Sequence, residues 1–454
     1  MEKQAFGTRD RVGYMLGDLG NDFSFILASS FMMKFYTDVM GMEGAVVGAV
    51  MMIVRIASAF SDVAMGQIVD RSEPGSDGQV RPWIKRMCGP VSISSFLIYQ
   101  SGLAEMSYGF KVVWLVITYV LWGSVFYTMV NIPYGAMASA ISSEPKERAS
   151  LSTWRNIGAV AANLIIGTGT PLFAYVTVEG RTVLSGPRMT LIAGIFSVLS
   201  FLCYLLCLYL TPERVVVHAN QEKFNLGKMV KKIITNQSLL GIILAALILM
   251  LSVLSLGGMS AYVFPNYYGN VAAQSAAALV GSIGTLLICA PLSERFAAKI
   301  GKKELSMLGC SFSVVVLLIL YLIRPQNPYV YVVLFALAQI GYGFFNSVIW
   351  AMITDVIDAS ELRHGVREDG TIYAVFSFAR KMGQAASSGL IGFLLTTIGY
   401  TALTAYDTEV VNGIYDISCL LPAAGLLLVI LALAFVYPLN RNVVEENTAK
   451  LHGK

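Results

Sequence analysis

Charged residues are scarce in this chain. Only 13% of its 454 residues are Asp, Glu, Lys or Arg, whereas 56% are hydrophobic. Soluble domains carry about 25% charged residues, so this composition excludes an ordinary soluble protein. The net charge of only +4 gives no reason to expect a nucleic-acid partner. We therefore predict an integral membrane protein surrounded by lipid.

Residues that carry catalysis or bind metals are also few. The three histidines, His218, His364 and His452, fall in predicted loops or in the tail, which argues against a histidine proton relay within the membrane. The six cysteines lack metal-ligand spacing and are interpreted as packing residues. There is no P-loop and no HExxH motif. We expect no enzymatic activity, no cofactor and no dedicated metal site.

What the chain does have is a series of about twelve apolar runs, each about 20 residues long, which is the length that crosses a bilayer. The predicted spans are 13–37, 43–66, 86–106, 111–137, 152–176, 189–211, 238–264, 273–294, 305–323, 329–354, 371–398 and 412–437. Lys and Arg crowd alternate loops, which places both termini in the cytoplasm. The predicted fold class is an all-α integral membrane protein.

A short motif occurs once in each half of the chain. GQIVDRS contains Asp70 and Arg71, and PLSERFAAKIGKKEL contains Glu294 and Arg295 at an offset close to half the chain. Two six-helix bundles related by duplication are the plan of many secondary transporters. The predicted segments are an N-terminal bundle, a cytoplasmic linker, a C-terminal bundle and a cytoplasmic tail, at 1–211, 212–237, 238–437 and 438–454.

Charged residues inside the spans are the strongest functional signal. Arg55, Ser58 and Asp62 form one stripe on the second span, because seven residues make nearly two helical turns. Ionised groups at membrane depth cost at least ~2.5 kcal/mol each and usually face a water-filled path or a partner. The alternative is an internal ion pair that only holds helices together.

Other polar groups lie on other spans. Asp18 and Asp22 share a face of the first span; Asp18 is interpreted as a helix-dipole residue and Asp22 as the better candidate for binding. Arg155 is a binding candidate or an interfacial anchor. Carboxylate and guanidinium groups hydrogen-bond vicinal hydroxyls bidentately, as polyol recognition requires, and a buried carboxylate beside a cation can take up a proton or a metal cation.

Several long patches resemble one family. They are FYTDVMGMEGAVVGAVMMIVRIASAFSDVAMGQIVDRS, VNIPYGAMAS, ERASLSTWRNIGA and ITDVIDASELRHGVREDGTIYAVFSFARKMGQA. The similarity runs over residues 11–437 and is to the glycoside-pentoside-hexuronide:cation symporters, which include melibiose permease and bacterial glucuronide and xyloside carriers. The resemblance implies the major facilitator fold, with two pseudo-symmetric bundles, and cation-coupled sugar transport by alternating access.

The resemblance also implies roles for single residues. Asp22 and Arg155 match the family's sugar ligands, Asp62 matches a carboxylate of its cation site, and Lys381 matches a lysine beside that site and near the substrate. Arg55 is expected to pair with charges there, and Thr128 to be a cation ligand. Asn131 and Tyr134, in the VNIPYG patch, are expected to contact substrate.

This chain departs from the family pattern at Ser58 and Asn131, where the family has acids, and at Gly135, where it has an aromatic residue. A sodium site needs several oxygens and enough negative charge. The departures therefore favour proton coupling, with sodium, bound by Asp62, as the alternative. The expected substrate is a glucuronide or other hexuronide, a glycoside or a pentoside.

Asp355 and Arg363, in a charged group that also contains Arg367 and Glu368, are interpreted as a cytoplasmic gate or as a solvated loop. The repeated acid–arginine pairs are also assigned to gating, and the alternative is that they only satisfy a helix terminus or set the topology. Three alternatives remain open: a lysophospholipid-type transporter of the same clan, a membrane sensor that does not transport, and an enzyme acting on lipid-linked sugar. We expect a monomer in the bacterial cytoplasmic membrane.

Overall fold

The structure is a computed structural model, and it describes residues 5–73, 75, 77–215, 227, 235–365 and 369–452. Helices make up almost all of it. In the first half they are α1 Thr8–Leu27, α2 Met33–Asp38, α3 Gly44–Asp70, α4 Arg81–Leu97, α5 Tyr108–Val120, α6 Tyr127–Ile141, α7 Pro145–Leu164, α8 Thr170–Ala174 and α9 Gly186–Leu210. In the second half they are α10 Gln237–Tyr262, α11 Val271–Gly284, α12 Ala290–Ile300, α13 Lys302–Ile323, α14 Pro328–His364, α15 Asp369–Thr397, α16 Thr408–Leu431 and α17 Arg441–His452.

Single π-helical turns extend several of these helices, and some of the turns join one helix to the next. The turns are Ala28–Met32, Leu121–Phe126, Ile165–Gly169, Val263–Tyr267, Thr285–Cys289 and Ala432–Val436. Such turns inside long helices are frequent at functional sites. With them, α1 and α2 form one rod, α5 and α6 another, and α7 and α8 a third.

Nine helices of the described part of the chain are long and apolar enough to cross a membrane. The three predicted spans that fall outside this group lie on the α1–α2 rod, on α4 and on α15. All three carry charged residues, and α4 is short. The third span was predicted to reach residue 106, but its helix ends at Leu97 and a separate turn follows at Ser101–Leu103.

A β-hairpin follows α8, although no strand was predicted. β1, Tyr175–Val178, pairs antiparallel with β2, Arg181–Leu184, through a turn in which Glu179 and Gly180 have positive φ angles. The sequence VTVEGRTV places β-branched residues on both sides of a two-residue turn, which is a typical hairpin pattern. Hydropathy alone did not reveal the hairpin, because its first residues, Tyr175 and Val176, fall inside the predicted span 152–176.

The chain forms two compact units. The first contains residues 1–223 and 399–404, and the second contains residues 224–398 and 405–454. Most of the predicted linker, 216–226 and 228–234, lies outside the described residues. The loop Gly399–Thr404 groups with the first unit although α15 and α16, the helices it connects, belong to the second.

The first unit is organised around α1, which lies between α7 and α9. Gly158 of α7 allows the closest approach, because a Cβ there would stand 2.6 Å from the Met15 carbonyl oxygen. Arg155 is almost one turn before Gly158 on α7. The tight packing at this glycine therefore brings the Arg155 side chain directly against α1.

One end of the first unit is held by the segment that follows α9. The Glu213 carboxylate accepts hydrogen bonds from the backbone N–H groups of Gln79, Val80 and Arg81, at 2.8, 2.9 and 2.7 Å. It thus satisfies donors at the start of α4, as a capping residue does, but from a distant part of the chain. Arg214 binds both Asp10 carboxylate oxygens, at 2.9 and 3.1 Å.

We predict that Glu213→Ala destabilises the protein. The change removes the acceptor of three backbone donors, and the loss of a helix cap costs about 1–2 kcal/mol. The expected result is a lower midpoint of thermal unfolding in detergent. Glu105→Ala, which changes an exposed carboxylate in another loop, is the matched control and should leave the midpoint unchanged. Equal midpoints for the two variants would contradict the capping role.

Candidate functional site

The centre of the site is an ion pair between α7 and α1. Arg155 Nε lies 2.8 Å from an Asp18 carboxylate oxygen. The Asp18 side chain is 7% exposed and that of Arg155 is 42% exposed. The interpretation of Asp18 as a helix-dipole residue is wrong, since it lies well beyond the first turn of α1 and its charge is paired with Arg155.

Two tyrosines support the Arg155 guanidinium. The guanidinium carbon lies 5.5 Å from the centroid of the Tyr134 ring, which is cation–π distance. Tyr134 stacks on Tyr14 with centroids 4.7 Å apart, and its hydroxyl donates to the Tyr14 carbonyl oxygen at 2.6 Å. The Tyr14 hydroxyl lies beside the guanidinium and interacts with it electrostatically. We call Asp18, Arg155, Tyr14 and Tyr134 the arginine cluster.

Much of the hydrogen-bonding capacity of this cluster is unused. A guanidinium has five N–H donors, and within the described residues Arg155 uses Nε to bind Asp18 and also interacts with the Tyr14 hydroxyl. Asp22, one turn further along α1, is half-buried and interacts electrostatically with both Asp18 and Arg155. Its carboxylate makes no hydrogen bond to any residue that the structure describes. Donors and acceptors are therefore available side by side.

A second polar site lies between α3 and α6. The Thr128 hydroxyl donates to an Asp62 carboxylate oxygen at 2.8 Å, and Asp62 is half-buried. The hydroxyl of Ser58, one turn earlier on α3, donates to the Arg55 carbonyl oxygen at 2.9 Å. We call Asp62, Thr128 and Ser58 the Asp62 site. Its oxygen atoms can hold a proton or help to bind a small cation.

Arg55 is buried and bridges three parts of the first unit. Its Nε donates to the Tyr119 hydroxyl and its Nη2 to the Ser29 hydroxyl, both at 3.1 Å. The guanidinium carbon lies 5.2 Å from the Phe25 ring centroid. Ser29 belongs to the π turn Ala28–Met32. Arg55 therefore attaches α3 to the irregular part of the first rod and to α5.

One face of α6 joins the two sites. Tyr127, Thr128, Asn131, Tyr134 and Gly135 project within an arc of about 120° at the helical repeat. Asn131 is half-buried and makes no side-chain hydrogen bond within the described residues. Gly135 is exposed, and a Cβ built there would meet nothing within 4 Å. The missing aromatic ring at this position leaves open space beside the Asn131 amide.

The remaining predicted binding residue, Lys381, lies on α15 in the second unit and is half-buried. Its neighbour Arg380 lies over two aromatic rings, with its guanidinium carbon 5.3 Å from the Trp350 ring centroid and 5.8 Å from that of Phe376. The roles expected for Lys381 stay predictions.

The predicted gating residues lie on or directly after α3, α12 and α14. Asp70 ends α3 and Arg71 follows it, whereas Glu294 and Arg295 are exposed on α12. Asp355 lies 2.6 Å from Lys302 Nζ, a pairing that the sequence did not indicate. Arg363 is exposed near the end of α14. Arg367 and Glu368 of the same charged group lie outside the described residues.

Sequence reasoning missed Tyr14 and the pairing of Asp18. Tyr14, Asp18 and Asp22 are spaced by four residues and therefore share one face of α1. That spacing was the signal for a polar and aromatic stripe on this helix. Within the described part of the chain there is no group of three or more His, Cys, Asp or Glu side chains placed to hold a metal ion.

Comparison with known proteins gives consistent results. Residues 13–441 match the sequence model of the family described as MFS/sugar transport protein. A glucuronide carrier protein homolog of Escherichia coli (strain K12) is 30% identical over 455 residues, which cover 99% of this chain and 97% of that protein. An isoprimeverose transporter of Lactiplantibacillus pentosus is 28% identical over 428 residues, which cover 94% of this chain and 88% of that protein. The crystal structure of a D-xylose-proton symporter is similar in fold, with a TM-score of 0.65 at 13% identity and coverage of 95% of this chain and 98% of that one.

Proposed function

The chain belongs to the MFS/sugar transport protein family, and on this premise we propose that it moves a sugar together with a cation, preferably a proton, by alternating access. The membership confirms the family and the fold class predicted from the sequence patches, and it identifies a membrane transporter rather than an enzyme. The substrate, the coupling ion and the roles of single residues are the proposal.

The arginine cluster with Asp22 carries the proposal. A guanidinium with unused donors lies beside a carboxylate without a hydrogen-bond partner among the described residues, in a half-buried position within spanning helices. Vicinal hydroxyls of a sugar can donate to Asp22 and accept from Arg155 at the same time. A site of this kind can hydrogen-bond a polyhydroxylated solute, whereas an apolar solute would leave these polar groups without partners.

Among sugars, we favour a glucuronide or another hexuronide. The planar fork of an arginine binds a carboxylate bidentately, and Arg155 is exposed enough to offer that fork. A relative that is similar over nearly the whole chain is named as a glucuronide carrier homolog. The Asn131 amide, which donates and accepts, suits either a sugar hydroxyl or a glycosidic oxygen. A neutral glycoside or pentoside is the alternative substrate.

For coupling, we assign the proton to Asp62. This carboxylate is the anionic member of the Asp62 site, and Thr128 and Ser58 add only neutral oxygens. A sodium ion at such a site would receive less negative charge than a hard cation normally needs to offset its dehydration. A proton, in contrast, needs only one carboxylate and no further anionic ligand.

The location of the protein, its oligomeric state and its orientation in the membrane are also part of the proposal. We place it in the bacterial cytoplasmic membrane as a multi-pass monomer with both termini in the cytoplasm, because the Lys and Arg residues crowd the loops on that side. The acid–arginine pairs at Asp70 and Glu294, and the Asp355 and Arg363 group, then lie at the cytoplasmic end, where gates would operate.

The experiment that tests this function is uptake into proteoliposomes. Radiolabelled glucuronide, xyloside and melibiose are offered under an imposed proton gradient, a sodium gradient or neither, with protein-free vesicles as control. Proton-driven uptake of the glucuronide, abolished by a protonophore, is the expected result. Sodium-driven uptake would overturn the coupling assignment. Absence of uptake for all three sugars would overturn the sugar proposal and favour a lysophospholipid-type transporter or a sensor.

A further inference from the structure

We propose that Tyr134 acts as a positioning residue: seated in a notch of α1 at Gly17 and stacked on Tyr14, it holds the Arg155 guanidinium in place for the substrate. This inference deepens the proposed function, because it rests on Arg155 being a substrate ligand. It also replaces the expectation that Tyr134 contacts the sugar itself.

The burial of Tyr134 distinguishes a positioning role from direct contact with the substrate. Tyr134 is 1% exposed and Tyr14 is 2% exposed, so neither ring offers a surface to a solute. The Tyr134 hydroxyl is already used, since it donates to the Tyr14 carbonyl oxygen at 2.6 Å. Tyr134 can therefore act on a substrate only through a neighbour, and the neighbour that is exposed is Arg155.

The contact with that neighbour has a defined geometry. The guanidinium carbon lies 5.5 Å from the Tyr134 ring centroid, where the negative face of the ring attracts a cation. Asp18 holds Nε of the same group at 2.8 Å. The ring and the carboxylate together fix the plane of the guanidinium. The directions of its other N–H groups are therefore set before the substrate binds.

Gly17 makes this arrangement possible. A Cβ at this position would collide with the Tyr134 ring and would also lie 2.9 Å from the Cys207 Sγ atom. No side chain larger than hydrogen fits while Tyr134 stays seated. Gly17 directly precedes Asp18, so the notch and the carboxylate are set by the same turn of α1.

A fixed guanidinium matters for affinity. Arginine has many rotamers, and ordering them on binding lowers affinity. A side chain that is already held by a ring and a carboxylate loses less freedom when the substrate arrives. Removing the support should therefore weaken substrate binding more than it slows the transport cycle.

The test compares transport kinetics in four variants whose folded state is checked by size exclusion. Tyr134→Leu removes the ring, and Gly17→Ala displaces it, so each should raise the KM for the transported sugar about tenfold at nearly unchanged maximal rate. Tyr134→Phe keeps the ring and should keep the KM within about threefold of wild type. Gly20→Ala is the matched control, because its Cβ would meet the Ser200 carbonyl oxygen of α9 instead.

A further variant covers the case in which Tyr134→Leu and Gly17→Ala do not fold. Tyr14→Phe keeps the stacked pair but removes the hydroxyl beside Arg155, and it should raise the KM roughly threefold to fivefold. An unchanged KM in Tyr14→Phe, or in folded Tyr134→Leu, would overturn the positioning role. A large rise in Tyr134→Phe would instead assign Tyr134 to the substrate directly. Failure of wild type to transport any sugar would contradict the proposed function itself, and it is seen before any variant is compared.

Discussion

Replacing Asp62 by Asn should abolish the concentrative uptake of sugar while leaving downhill exchange of sugar intact. The amide keeps the size of the side chain and can still hydrogen-bond Thr128, but it cannot bind and release a proton. Transport of the sugar alone would continue, since no residue of the arginine cluster is on α3, the helix that carries Asp62. The proton gradient would no longer drive the uptake of the sugar.

The expected effect is large. Symport of one proton with one glucuronide anion moves no net charge, so only the pH gradient drives it, and a gradient of two pH units supplies ~2.7 kcal/mol. This free energy allows an accumulation of roughly 100-fold. In Asp62→Asn the internal and external concentrations should become equal. The measurement is the steady-state ratio of labelled glucuronide across energised proteoliposomes, with exchange into sugar-loaded vesicles measured in parallel.

Asp77→Asn is the matched control, because it changes an exposed loop carboxylate that pairs with Lys85. It should accumulate sugar like the wild type. Accumulation that survives in Asp62→Asn would place the proton on another group, and Asp22 would be the first candidate to examine. Loss of both accumulation and exchange would show that Asp62 is needed for the conformational cycle and not specifically for coupling.

Replacing Arg155 by Gln should remove most of the substrate affinity. Truncating one partner of a hydrogen-bonded charge pair costs about 2–5 kcal/mol when the pair is buried. Arg155 is partly exposed, so the lower value applies, and about 2 kcal/mol corresponds to a roughly 30-fold weaker binding of the sugar. Isothermal titration of the purified protein with glucuronide measures this directly, without any gradient.

A double variant separates recognition from folding. Arg155→Gln leaves the buried Asp18 carboxylate without its partner, which also destabilises the first unit. Adding Asp18→Asn removes that unpaired charge and should restore the thermal midpoint, but it should not restore the affinity. Recovery of affinity together with stability would mean that the ion pair only holds α1 and α7 together, which is the structural alternative for a charged pair inside spanning helices.

The sequence predicted the helices well because hydrophobic run length depends only on local composition. The ends were less certain: α4 stops at Leu97, and the hairpin at Tyr175–Leu184 was not foreseen. Both errors arise where a polar surface turn adjoins an apolar run. Run length alone does not show where a helix ends.

The sequence singled out most residues of the two candidate sites, whose roles stay predictions, but it did not indicate their contacts. Asp62 and Thr128 are 66 residues apart, and the structure brings them to 2.8 Å. The partner of Arg155 proved to be Asp18, which depends on the close approach of α7 to α1 at Gly158. The capping role of Glu213 was not predicted, because a carboxylate that follows an apolar run is expected to lie in solvent. These contacts join distant segments, and no local pattern in a single sequence encodes them.

The most direct test of proton-coupled sugar transport is a measurement of proton movement itself. Proteoliposomes without any imposed gradient, containing a pH-sensitive dye and a potassium shunt, receive glucuronide from outside. The account predicts acidification of the interior that follows the sugar, needs no sodium and is absent in Asp62→Asn. Sugar entry with a constant internal pH would contradict it.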